Sequence, residues 1–259
     1  MTDDNRAADR AARLLQGQQA TTHQRRLKVS LITIVLVIAA VAVAGYVLSG
    51  REDAAEADAA TPANSTESFG FRLTPALATG TEVPDPPVTV ALYEDFLCPS
   101  CRIFEERSGA YLRDAVTQGR IVLEYRPFTF LIGASTNRYT ERAANAAACV
   151  ADSAGVVPYA NFHDLLYANQ PAEGVAGHED PVLVDFAAQA GAPDIAACVE
   201  EERFADWVKA ALAEGREIGV SQTPTVVVND VKVEVIGQSG GVVMPGTDEL
   251  EQAISQAGG

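Results

Sequence analysis

Two thiols three positions apart, Cys98 and Cys101, stand where a strand signal gives way to a helix signal, and this junction limits the folds open to the chain. Val88-Thr-Val-Ala-Leu-Tyr93 reads as a buried strand. Beyond the pair, Phe104, Ser108, Tyr111, Leu112 and Ala115 recur at helical spacing. A cysteine at such a turn faces the free N–H groups and the positive end of the helix, which favour thiolate over thiol. A zinc site would need further ligands, usually a second CxxC or spaced histidines. Cys149 and Cys198 stand far apart, and His23, His163 and His178 show no HxxxH spacing, so no metal is expected. As a purely structural disulfide the pair would close too short a loop to constrain the unfolded chain much. Redox chemistry is the reading that remains.

The chain has 259 residues, 47% of them hydrophobic, which suits one sizeable core with additions. Val29 to Leu48 is twenty residues without a charge, long enough as a helix for a hydrocarbon layer of about 30 Å. Before this run lie six basic and three acidic residues; after it lie 13 basic and 32 acidic. The positive-inside rule then keeps the N-terminus in the cytoplasm and exports the rest. Ala42-Val43-Ala44 leaves a cleaved signal peptide as the alternative, but signal cores are shorter, at about 7–15 residues. The expected order is a basic cytoplasmic N-terminus (1–28), a transmembrane signal-anchor helix (29–49), a flexible acidic linker (50–68) and an extracytoplasmic domain (69–259) in a cell-membrane protein. The acidic exported part speaks against nucleic acid or an anionic membrane surface as partner, so membrane contact is expected through the anchor alone. Glycines that could cradle phosphate and a Ser/His/Asp arrangement are both missing, and no cofactor is expected.

A second feature lies far downstream. Gly219-Val-Ser-Gln-Thr-Pro-Thr-Val-Val-Val-Asn229 runs from a helix end through Thr223-Pro224 into a strand. Proline is tolerated at such a boundary, and an X-Pro bond adopts cis at modest cost, with an ordinary trans turn as the plainer alternative. Between the two features the spacing predicts helices over Asn137–Ser153, Tyr159–Tyr167, Asp180 to Gly191 and Phe204–Gly215. A strand over Val231–Ile236 and a helix over Asp248–Gln256 close the chain. Cys149 and Cys198 both fall in the helical interval. An exported compartment favours a structural disulfide between them; two buried thiols or a resolving cysteine are the competing readings.

From about Phe71 onward the chain resembles the thioredoxin superfamily and, more narrowly, the membrane-anchored DsbA-like thiol–disulfide oxidoreductases of bacteria. The resemblance rests on Tyr93-Glu-Asp-Phe-Leu-Cys-Pro-Ser-Cys101, Ile121-Val-Leu-Glu-Tyr-Arg126 and Gln222-Thr-Pro-Thr-Val-Val-Val228. It implies an α/β thioredoxin-like fold with a helical insertion over about 133–216, behind one transmembrane helix. It also implies a Cys98/Cys101 catalytic dithiol, supported by Pro99 and Ser100 and faced by a cis-proline loop at Thr223-Pro224. Cys98, at the helix start, is the expected nucleophile. The implied partners are exported proteins with free thiols and a membrane quinone-linked reoxidase of the DsbB or vitamin K epoxide reductase type. The implied activity is disulfide formation, with thiol reduction, disulfide isomerisation and non-catalytic peptide binding as alternatives.

Two positions depart from the family pattern. Ser100 replaces a histidine found in well-known oxidants, so no imidazolium stands between the cysteines. Related enzymes bury an acid six positions before the first cysteine as a proton acceptor, where this chain has Leu92. Glu94, two residues on and on the same strand face, is the candidate substitute, although a solvated strand-end acid is the stronger expectation for it. Asp95 is expected to support the turn.

Overall fold

The computed structural model describes residues 60–258 apart from 83, 85, 87, 238 and 239. The spans 1–28 and 29–49, with most of 50–68, lie outside the described residues. Among the described residues no helix is long and apolar enough to cross a membrane.

The centre is a five-stranded sheet in the order β1-β3-β2-β4-β5. Its strands are β1 (Phe71–Leu73), β2 (Thr89–Glu94), β3 (Val122–Pro127), β4 (Thr225–Val228) and β5 (Val231–Lys232). β2 pairs parallel with β3, from Thr89 opposite Val122 to Glu94 opposite Pro127, and antiparallel with β4, from Val90 opposite Val228 to Tyr93 opposite Thr225. β2 reads as a nearly continuous apolar run because both its faces are covered. Val90 and Leu92 belong to the main core, whereas Ala91 and Tyr93 pack with Phe128, Leu212 and Val220 on the other side.

The helices are α1 (Pro75–Thr79), α2 (Pro99–Phe104), α3 (Ala110–Thr117), α4 (Tyr139–Ala154), α5 (Val156–Ala168), α6 (Asp180–Ala190), α7 (Ala196–Glu200), α8 (Ala205–Glu217) and α9 (Thr247–Gly258). A π-turn, Glu105–Gly109, joins α2 to α3. Helices α4 to α8 form the insertion between β3 and β4, so the fold is thioredoxin-like with an added helical layer. Alanine, the best helix former, dominates α4, and Ala143, Ala144, Ala146, Ala147, Ala148 and Ala151 are all buried. Such small side chains let neighbouring helices approach on several sides of it. Gly191 caps α6 at φ 103°, in the left-handed region open to glycine.

Three details differ from the sequence expectations. α4 begins at Tyr139 rather than Asn137 because Arg138 takes a left-handed backbone, and the Tyr139 N–H donates to Ser135 Oγ at 2.7 Å. The expected strand Val231–Ile236 breaks after Lys232, and Val235–Ile236 pairs with Val242–Val243 in a separate ribbon, β6 and β7. The expected linker reaches Ser68, but its last residues are fastened to the domain. Ala63 N–H donates to Asp152 Oδ1 at 2.8 Å, Asn64 Nδ2 to the Ala151 carbonyl at 3.1 Å, and Thr66 Oγ1 to Glu124 Oε1 at 2.9 Å. Composition marks these small polar residues as solvated; here each finds a fixed partner.

Cys149 on α4 and Cys198 on α7 are joined in a disulfide, with Cα atoms 6.0 Å apart and a sequence separation of 49. Closing a loop of that length removes entropy from the unfolded chain worth about 4 kcal/mol in the loop-closure account. The double variant Cys149→Ala/Cys198→Ala should lose about 2–4 kcal/mol in urea unfolding while Cys98 remains alkylatable. An unchanged midpoint would show that the helical layer does not depend on the bridge.

Candidate active site

β2 delivers the chain to a turn held by Asp95. Its Oδ1 accepts the Leu97 N–H and its Oδ2 the Leu131 N–H, both at 2.8 Å, and the Thr140 hydroxyl donates to Oδ1 as well. Burial pushes the Asp95 carboxyl up, and these donors work against the rise. The insertion secures the same turn. Tyr167 Oη donates to the Asp95 carbonyl at 3.2 Å, and Gln170 Nε2 to the carbonyls of Phe96 and Cys98 at 3.1 and 2.9 Å. Cys98 then occupies the N-cap of α2, and Pro99 fills the first helical position, where a missing N–H costs nothing. Pro99 is exposed and Ser100 half-buried.

Cys98 and Cys101 are free thiols, Cys98 7% exposed and Cys101 fully buried. The Cys101 thiol is the largest influence on Cys98, donating to its sulfur. Burial opposes ionisation, but the Thr223 side chain and the N–H groups of Cys101 and Ser100 add to the donation, and the Cys98 thiol is held down to about 6. The opposite holds at Cys101. Burial, its donation to Cys98 and the nearby Glu94 charge push its thiol well above the ordinary range. The two sulfurs are thus separated into a ready nucleophile and a reluctant acid.

Thr223-Pro224 is a cis peptide bond, and the Thr223 carbonyl lies 3.6 Å from Cys98 Sγ. Thr223 Oγ1 is buried without a hydrogen-bond partner, which leaves its hydroxyl free to turn toward the sulfur. A family model described as thioredoxin matches residues 74–240. The chain belongs to the thioredoxin family. Among solved structures, reduced DsbA from Mycobacterium tuberculosis is 28% identical, with a TM-score of 0.55, over 73% of this chain and 99% of that one. Reduced DsbG from the same organism is 27% identical, with a TM-score of 0.53, over 74% and 91%. BdbD from Bacillus subtilis, at 20% identity and a TM-score of 0.58 over 77% and 98%, shares the fold. No curated protein sequence matches the chain. The thioredoxin-family site and these neighbours make the protein a thiol–disulfide oxidoreductase of DsbA-like architecture.

Beneath the dithiol lies a buried ionic cluster. Glu94, expected at a solvated strand end, is instead only 4% exposed, because α5 covers that end of β2. Glu94 Oε2 lies 3.0 Å from His163 Nε2, and His163 Nδ1 lies 3.5 Å from Asp164 Oδ1. Burial disfavours a charged His163, but Asp164, Glu94 and Glu105 outweigh it and lift the ring to about 10. Burial, with the Glu94 charge, pushes the Glu105 carboxyl up to about 8. Neither His163 nor Glu105 stood out in the sequence as functional. For His163 no local pattern signals it. For Glu105 one does: it lies four residues after Cys101, so a helix puts both on one face.

In reduced protein, the iodoacetamide reaction rate at Cys98 should follow a single titration with a midpoint near pH 6, read by mass spectrometry, while Cys101 stays unmodified at pH 8. A Cys98 midpoint above pH 8 would contradict the site electrostatics.

Proposed function

We propose that the protein is an extracytoplasmic oxidase that introduces disulfides into exported proteins, held at the cell membrane by the segment 29–49. The observation that carries the oxidase reading is the low thiol at Cys98. A thiolate stabilised in the reduced protein makes reduction of the Cys98–Cys101 bond favourable, so the disulfide is the stronger oxidant.

In the forward reaction a client thiolate attacks Cys98 Sγ, the Cys98–Cys101 bond breaks, and Cys101 leaves as a thiolate that takes up a proton. The client's second thiolate then attacks its own mixed-disulfide sulfur and expels Cys98, which leaves as the stabilised anion. Two client thiols are oxidised and one enzyme disulfide is reduced. The Thr223 backbone, facing the sulfur beside the cis bond, is placed to pair with an extended client segment. Recharging requires an electron acceptor, which this reading assigns to a membrane quinone-linked reoxidase of the DsbB or vitamin K epoxide reductase type. Ser100 contributes its backbone N–H but no cationic ring, which tempers the oxidising power.

Equilibration with glutathione buffers should give a potential closer to about −120 mV than to about −270 mV, the values of a strong oxidant and of thioredoxin. Cys98→Ser should abolish reoxidation of a reduced, denatured client. A potential near that of thioredoxin would reverse the proposed direction, and retained function in the serine variant would point to a binding module.

A further inference from the structure

Two carboxylates and one imidazole meet behind the active-site turn, each from a different element. Glu94 comes from β2, Glu105 from the start of the π-turn and His163 from α5. A carboxylate oxygen of each glutamate and a ring nitrogen of the histidine all lie within 4.8 Å of one another. Glu94 is 4% exposed, and its Oε1 has no hydrogen-bond partner among the described residues; Glu105 Oε1 is buried and unpartnered as well. Water does not relieve Glu94 from the sheet side. The chamber walled there by Leu92, Phe96, Tyr125 and Tyr159 has no room for a water molecule. Dry, unmatched carboxylate oxygens are costly unless a cation joins them.

The spacing is that of ligands around one ion. Zinc holds imidazole nitrogen and carboxylate oxygen at about 2.0–2.2 Å, which sets neighbouring ligands about 2.9–3.4 Å apart. Glu94 Oε2 and His163 Nε2 stand 3.0 Å apart. A shared proton also spans that distance, but it leaves both Oε1 atoms bare. Glu105 has to close by no more than about 1.5 Å to complete the set, a movement its flexible side chain can make. Histidines that ligate metals almost always give their other ring N–H to a carboxylate. His163 Nδ1 lies 3.5 Å from Asp164 Oδ1, and Arg113 fixes Asp164 in turn at 2.9 Å. The charges also balance: a dication offsets Glu94 and Glu105, while Arg113 offsets Asp164.

Glu105 lines an open cleft of about 440 Å³ with Arg102, Gly109 and Asp164, which gives an ion a way in and a water its place. The backbone is shaped around this carboxylate, because a Cβ at Gly109 would overlap it. The π-turn that starts at Glu105 is of a kind that concentrates at functional sites.

We propose that Glu94, Glu105 and His163 bind a zinc ion, with a water from the cleft as fourth ligand and Asp164 orienting the imidazole. Calcium needs six to eight oxygens and magnesium keeps several waters, so an imidazole with two carboxylates in a dry pocket suits zinc better. The ion takes the place of the proton between Glu94 and His163 and pins β2, the π-turn and α5 together. Ligand spacing in the sequence gives no sign of it, since each donor lies on its own element. The site stands on this geometry alone and not on the direction of thiol exchange.

The test removes the thiols first. Tag-free full-length protein is oxidised, so that the Cys98–Cys101 bond takes both sulfurs out of play, then stripped with EDTA and titrated with zinc against a chromogenic chelator. Wild type should take up one equivalent, and its melting temperature should rise by about 5–10 °C with zinc at a hundredfold of the dissociation constant. Glu105→Gln and His163→Gln should each weaken binding at least about tenfold and lose that rise. Glu106→Gln, an exposed neighbour in the same cleft, should bind as wild type. X-ray absorption at the zinc edge should show only nitrogen and oxygen neighbours, at about 2.0–2.2 Å. No zinc uptake by oxidised wild type, sulfur among the neighbours, unchanged affinity in both variants, or tighter binding of calcium than of zinc would each overturn the site. The wild-type titration and spectrum decide by themselves if a variant fails to fold.

Discussion

The antiparallel pairing of β2 with β4 is the constraint on which the rest of the molecule depends. With Tyr93 opposite Thr225, the turn that leaves β2 and the loop that enters β4 must meet at one end of the sheet. Cys98 and Thr223 are 125 residues apart in sequence, yet this register sets the sulfur against the Thr223 carbonyl. A slip of one residue would turn Tyr93 and Ala91 to the opposite face and pull the cis-proline loop away from the sulfur. The long buried β2 run resists such a slip, because its two faces meet two different sets of side chains.

The insertion does more than enlarge the fold. Its helix α5 and the loop beyond it supply Tyr167, Gln170 and His163, which reach the carbonyls of the active-site turn and the carboxylate of Glu94. Asp95 ties the same turn to the segment leading into α4 through Leu131 and to α4 itself through Thr140. The dithiol is thus gripped from the sheet below and from the helical layer beside it. That grip keeps the N–H groups of Ser100 and Cys101 aimed at Cys98 without a side-chain cap to do it. It also explains how a chain with leucine at position 92 still places an acid near Cys101: the charge moves two residues along β2, where the insertion can cover it.

Much of this was legible in the sequence because it is local. The CxxC between strand and helix, the Thr223-Pro224 boundary, the Gly191 stop of α6 and the alanine-rich α4 all announce themselves within a few residues. The misread positions owe their environment to distant chain. Glu94 looks like the wet end of a strand until α5 is laid across it. His163 has no ligand spacing to recommend it, since its partners come from β2 and the π-turn. The residues before Phe69 have the composition of a tether, but Asn64 and Thr66 find acceptors on α4 and β3 that no local pattern reveals. Glu105 is the exception, a position whose spacing from Cys101 was visible throughout.

The central claim is that the fold holds the Cys98 sulfur as an anion, and linkage gives it a direct test. The Cys98 thiol is lowered from about 9 to about 6, so the stability it lends the reduced protein is complete above about pH 9 and is lost as pH falls through about 6. Paired thermal melts of the reduced and oxidised protein at pH 5, 7 and 9 read this out. The reduced form should melt higher at pH 7 and 9, with the margin widening toward pH 9 and closing by pH 5. An oxidised form that melts higher at every pH, or a margin indifferent to pH, would contradict the account.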